Sequence, residues 1–138
     1  MSHVWKVDDK LEPITLELDL KRAIMAVAGT RDFYPFHHNA EWAKENGADD
    51  IFFNTMFLQG FAGRAVNEWF GHDAFLRKLD IGMRASVYKD RTLKIAGTVK
   101  GVQERDGATL LEVDAMMSTE DGPTTAVKAT VQLGVPLS

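Results

Sequence analysis

Asp32 and His37 lie in the run Arg31-Asp32-Phe33-Tyr34-Pro35-Phe36-His37-His38-Asn39. Pro35 disfavours a helical Tyr34 and removes a backbone donor, so the run reads as a loop. A carboxylate and an imidazole held at fixed separation can position a water, take its proton and return a proton elsewhere. The same spacing also suits a plainer arrangement, in which Asp32 caps a turn and His37 packs against it. A second feature bears on the choice. A long helix begins at Asn54-Thr55-Met56, and its first backbone N–H groups have no partner inside the helix. With the positive end of the helix dipole, those groups would polarise a carbonyl placed there and stabilise negative charge on its oxygen.

The other titratable residues offer less. His38 suits a solvated or capping role, and His3 and His72 suit surface positions. Only His37 and His38 are close in sequence, and adjacent residues rarely ligate together, so no metal site is expected. The chain has no cysteine, which excludes disulfides, thiolate nucleophiles and cysteine–zinc sites. No nucleophile elbow, phosphate-binding loop or dinucleotide glycine pattern occurs.

The elements that must hold these groups are legible in the residue patterning. Residues 11–18 suit a short extended segment, after which Asp19 would cap a helix running to about Gly29. Asn39 would cap a short helix over 40–46, which Gly47 ends. Phe57, Leu58, Phe61, Ala62, Ala65, Val66, Trp69 and Phe70 recur at three- and four-residue spacing. That spacing predicts a helix over 55–70, with Asn54 or Thr55 as cap and Gly71 after it. Gly60, Ala62 and Gly63 leave this helix thin, and each interior glycine costs about 1 kcal/mol relative to alanine. Close packing by a sheet curling around the helix would explain that cost.

Beyond Phe70 the pattern alternates. Leu93, Ile95, Gly97 and Val99 oppose Lys94, Thr98 and Lys100, whereas Leu111, Val113, Ala115 and Met117 oppose Glu112 and Asp114. Val127, Ala129, Val131, Leu133 and Val135 oppose Lys128, Thr130 and Gln132. Tight turns separate these strands at 105–107 and 120–123, and 79–88 is a less regular fourth strand. Long strands joined by tight turns imply an antiparallel sheet with one face buried. The fold class is therefore α+β: one domain over 1–138, a long central helix wrapped by a curved antiparallel sheet.

Composition bounds the function. The chain has 138 residues, 45% hydrophobic and 26% charged, with a net charge of −4. That length supports a core without staples. A mildly acidic chain with scattered basic residues does not suit nucleic acid. No apolar run approaches the roughly 20 residues of a membrane span. The first residues show no basic-then-apolar pattern, so a cytoplasmic address is expected.

The sequence resembles the MaoC-like, R-specific enoyl-CoA hydratases, whose fold is the hot-dog fold. The family pattern of Asp, any residue, Asn, Pro, an aliphatic residue and His reads here Asp32-Phe33-Tyr34-Pro35-Phe36-His37, with Ala43 at the small position six beyond the His. The family's His-Gly-Met triplet reads Asn54-Thr55-Met56, with Thr55 eighteen residues after His37 as in the family. The matched blocks fall within residues 22–70. The run Thr30-Arg31-Asp32-Phe33, with His37-His38, Asp50-Ile51-Phe52, Asn54 and Trp69, is further similar to the small subunits of two-chain hydratases of steroid side-chain degradation. In those, the small chain supplies the Asp and His, and a second MaoC-like chain shapes the pocket.

The resemblance implies reversible hydration of a trans-2-enoyl-CoA thioester to the (3R)-hydroxyacyl-CoA. Asp32 and His37 would be catalytic, with the division into acid and base left open. The Thr55 N–H would bind the thioester oxygen, and Tyr34, Asn54 and Met56 would face substrate. No metal or redox cofactor is implied. The implied partner is a second copy or another MaoC-like chain. Tyr34 and Thr55 depart from the family's Asn and Gly, which leaves a partner-dependent binding subunit as the alternative. An acyl-CoA thioesterase is disfavoured, because hot-dog thioesterases often carry a carboxylate early on the central helix and 55–63 has none. Lys89, Arg84 and Arg64 are basic residues available to coenzyme A, with no spacing that selects among them.

Overall fold

The computed structural model describes residues 3–134. Val135, expected in the last strand, lies outside them, as do the two ends of the 1–138 domain. Five strands form one antiparallel sheet: β1 (Lys10–Leu18), β2 (Phe75–Met83), β3 (Arg91–Arg105), β4 (Ala108–Thr119) and β5 (Gly122–Leu133). Their spatial order is β1-β3-β4-β5-β2, so β1 and β2 are the edges. Three helices, α1 (Leu20–Thr30), α2 (Ala40–Glu45) and α3 (Thr55–Phe70), connect β1 to β2. No helix among the described residues is long and apolar enough to cross a membrane.

Helix α3 has the bounds its residue spacing predicts. The Asn54 side chain accepts from the Phe57 N–H at 2.8 Å and starts it. Gly71, at φ 90°, ends it while its N–H closes on the Asn67 carbonyl. The helix buries Leu58, Phe61, Ala62, Ala65 and Val66. These lie against the inward residues of the sheet: Leu93, Ile95, Val99, Leu111, Val113, Met117, Val127, Ala129 and Val131, all buried. The period-two reading of β3, β4 and β5 thus assigns the correct face to the core. Asp19 caps α1 through the Arg22 N–H, and Asn39 caps α2 through the Trp42 N–H.

Two features differ from expectation. The fourth strand runs Phe75–Met83 rather than 79–88, and Tyr88 instead forms an isolated bridge to Phe52. The glycines of α3 are also not explained by close packing, since a Cβ at Gly60 or Gly63 would meet nothing within 4 Å. The tight approach lies within the sheet, where a Cβ at Gly97 would stand 2.8 Å from the Asp114 carbonyl oxygen and 2.9 Å from the Ala115 Cβ. Gly60 instead opens on a groove of about 660 Å³ between α1 and α3, also lined by Met25, Ala26, Gly29, Met56 and Phe57. The adjoining outer face of α1 is apolar, with Leu20, Ile24 and Met25 exposed.

Because Gly60 is helical with open space where a methyl would go, Gly60→Ala should raise unfolding free energy by about 1 kcal/mol. Chemical denaturation measures this; an unchanged or lower midpoint at constant m-value would refute the open-space assignment.

Candidate functional site

The loop after α1 turns sharply. Arg31, the C-cap of α1, adopts the left-handed conformation at φ 56°, which reverses the chain and returns Asp32 towards α3. Pro35 then opens a single 3-10 turn, Pro35–His37, within the expected loop. Its first position suits proline, whose missing N–H has no helical acceptor to lose. The turn delivers His37 inward, where its side chain is 10% exposed. Ala43 of α2 is fully buried, which accounts for a small residue there.

Segment 51–53 meets the loop from the other side. The Phe53 N–H bonds the Val87 carbonyl and the Lys89 N–H bonds the Ile51 carbonyl, at 2.8 and 2.9 Å. Between them the Phe52 N–H bonds the Phe36 carbonyl at 3.2 Å, and the Phe52 carbonyl faces His37 Nδ1 at 2.7 Å. A carbonyl only accepts, so Nδ1 carries the hydrogen and Nε2 is the ring's exchangeable position. Nε2 lies 3.3 Å from Asp32 Oδ2. The pair read from sequence as an acid and an imidazole is therefore brought together.

Asp32 is held at both oxygens. Oδ1 accepts from the Tyr34 N–H at 3.4 Å, and Oδ2 accepts from the Asn54 amide at 3.3 Å. The same amide nitrogen donates to Thr30 Oγ1 at 2.8 Å, while Asn54 Oδ1 caps α3. Asn54, expected to face substrate, thus spends its polar atoms inside the protein. It lines the cavity but has no free donor to offer. At the start of α3, the Thr55 and Met56 N–H groups have no partner among the described residues. Thr55 Oγ1 turns aside to Met83 Sδ at 3.0 Å.

These groups surround one cavity of about 350 Å³, lined by Asp32, Tyr34, Phe36, His37, Phe52, Phe53, Asn54, Thr55, Met56 and Met83. Its walls are mostly aromatic and thioether groups, so its few polar atoms converge on an apolar space. Tyr34 is half-exposed and stacks edge-on against Phe36, Trp42 and His37. Its phenol has no hydrogen bond among the described residues. Met56 is exposed and borders both this cavity and the α1–α3 groove. Among the described residues no three metal-capable side chains cluster.

Sequence reasoning missed three contributors. The Phe52 carbonyl carries no residue-type signal. Met83 enters only through strand placement. Thr30 lies inside the matched run but shows its part only once Asn54 is beside it. His38 bonds the Phe33 carbonyl at 2.9 Å and stays outside the cavity. Of the basic residues, Lys89 pairs with Asp90 and Asp50, and Arg64 with Glu68. The hydrogen bond to Asp90 holds the Lys89 ammonium above its usual range, with the nearby Asp50 charge adding to it and desolvation opposing.

No family model matches the chain. The beta subunit of the 3-oxo-4,17-pregnadiene-20-carboxyl-CoA hydratase of Mycobacterium tuberculosis is 29% identical over 112 residues, covering 81% of this chain and 82% of that subunit. A chain of the ChsH1–ChsH2 complex of M. tuberculosis superposes with a TM-score of 0.88 at 23% identity, over 95% of this chain and 100% of the other. The (R)-hydratase of A. caviae involved in PHA biosynthesis superposes with a TM-score of 0.82 at 16% identity, over 96% and 100%. The likeness read from residues 22–70 therefore extends across the sheet: the chain has the hot-dog fold of the MaoC-like hydratases and resembles in sequence the beta subunit of a steroid side-chain hydratase.

Proposed function

We propose that this chain catalyses the reversible hydration of a trans-2-enoyl-CoA thioester to the (3R)-hydroxyacyl-CoA, with Asp32 and His37 as the proton-transfer pair. The observation that carries this reading is the 3.3 Å approach of His37 Nε2 to Asp32 Oδ2 in a cavity that is also lined by Thr55 and Met56, whose N–H groups at the start of α3 have no partner among the described residues. A water held jointly by Nε2 and the carboxylate, on the cavity side of their contact, would lose a proton to the pair as its oxygen bonds the β-carbon. The alkene π electrons move towards the thioester oxygen, and the Thr55 N–H meets the developing enolate. The pair then delivers one proton to the α-carbon on the same face, so that H and OH are both accounted for. The thioester itself activates the alkene, and the reaction calls for neither metal nor redox cofactor. Tyr34 and Met56 line the cavity against the substrate's apolar part.

The substrate class we assign is a bulky, steroid-type or lipid side-chain acyl-CoA. Support comes from the beta-subunit relative and from the groove of about 660 Å³ that shares Met56 with the catalytic cavity. We further propose that the chain works beside a second copy or another MaoC-like chain, in the cytoplasm. The exposed Leu20, Ile24 and Met25 beside that groove favour a covering partner, because contiguous exposed apolar groups mark interaction sites. Solution mass with and without a co-expressed MaoC-like chain, set against hydration rate, separates a self-sufficient enzyme from a partner-dependent subunit.

Asp32→Asn and His37→Ala should each lower kcat for enoyl-CoA hydration by about 10²–10⁴-fold without loss of fold. Rates near wild type in both variants would remove this mechanism. Nitrogen-15 shifts of His37 at high pH should show Nδ1 protonated and Nε2 bare. The opposite tautomer would take Nε2 out of the chemistry.

A further inference from the structure

We propose that Asn54 is a positioning residue that ties the Asp32 carboxylate to the first turn of α3, so that the proton-transfer pair and the Thr55 N–H are held as one unit. The inference rests on the hydratase reading above and goes beyond it by assigning what fixes the carboxylate.

The orientation of the amide is determined by its neighbours. The Thr30 hydroxyl donates to the Ala26 carbonyl at 2.6 Å, so its oxygen has only acceptor capacity left for Asn54. Asp32 Oδ2 is likewise an acceptor, and the Phe57 N–H is a donor. A flipped amide would set its oxygen against two acceptors and its nitrogen against a donor. One orientation satisfies all three contacts.

The residue type is also selected beyond capping. Serine, threonine and aspartate cap a helix about as well as asparagine. None of them also carries two N–H donors at this reach. Asn54 is buried and joins the end of α1, the catalytic loop and the start of α3 in a single side chain. Rotation of a carboxylate about its last torsion is soft. The Asn54 and Tyr34 N–H contacts remove that freedom and leave Oδ2 aimed at Nε2. A cap alone requires none of this.

The test uses three variants of the full chain, with the partner chain present if activity needs one. Asn54→Ser keeps a cap and loses both amide donors. Its kcat should fall about 10–100-fold with KM near wild type, since small misplacements of reacting groups act at that scale. Asn54→Asp also keeps a cap but sets a second carboxylate beside Asp32. Added negative charge favours protonated forms, so the pH–rate profile should move to higher pH. The His37 titration midpoint, followed by NMR without substrate, should move up with it. Asp32 and the Tyr34 phenol are the titratable side chains seen in contact with that ring. Thr30→Val, which leaves the cap itself untouched, should lower kcat at unchanged KM and serves if either Asn54 variant does not fold.

Wild-type kcat and pH profile in the folded Asn54 variants, or wild-type kcat in Thr30→Val, would overturn the assignment. Should the wild-type protein hydrate no enoyl-CoA, the hydratase reading fails. The His37 midpoint in Asn54→Ser then still decides the positioning role: a fall, as the unheld carboxylate turns away from Nε2, upholds it and an unmoved midpoint rejects it.

Discussion

The hydrogen bond from His37 Nδ1 to the Phe52 carbonyl is the contact on which the site depends. It decides which ring nitrogen can exchange protons, and it does so with a backbone group that no side-chain substitution removes. That carbonyl is aimed by its neighbours. Ile51 and Phe53 are bonded to Lys89 and Val87 on either side of it, and Ile51, Phe53 and Val87 are themselves buried. The orientation of one imidazole is thus inherited from a short two-segment bridge anchored in the apolar core. A rigid base of this kind is what proton transfer requires, since its efficiency depends on geometry before acidity.

The same economy governs the other half of the site. Helix α3 buries one face, and its position is set by Leu58, Phe61, Ala65 and Val66 against the sheet. Its first turn lies where the loop returns after Arg31. Unsatisfied amides at a helix start are ordinary. What distinguishes this start is that its cap is shared with the carboxylate through Asn54, so hydrophobic packing along the helix fixes polar geometry at its first turn. Few polar atoms are involved, and most are doubly committed. In an apolar cavity such groups are costly to leave unpaired, which makes the network sensitive to single substitutions.

Much of this was legible in the residues. The bounds of α3, the caps Asp19, Asn39 and Asn54, and the inward faces of β3, β4 and β5 follow from local rules of periodicity and capping. Asp32 and His37 were legible as a loop-borne pair through Pro35, and as a candidate catalytic pair through their likeness to the family's Asp-to-His block. The rest depends on long-range placement. The Phe52 carbonyl is common to every residue type. The role of Asn54 requires Thr30, twenty-four positions away. A glycine is equally compatible with crowding and with open space, and only coordinates separate Gly97, where the strands nearly touch, from Gly60, where nothing does. Strand β2 begins at Phe75 because its register is set by pairing with β5, which no local pattern encodes.

The three tryptophans are divided between opposite ends of the molecule. Trp42 stands edge-on to Phe36 and Tyr34 beside the loop. Trp69 bonds the Glu12 carbonyl and meets Phe70, which Trp5 also covers. Intrinsic fluorescence therefore carries two separable signals, one from the loop and one from the far end of the long helix. A single-tryptophan form retaining Trp42 would act as a built-in optical gauge of loop order, and one retaining Trp69 would report the far end of the helix.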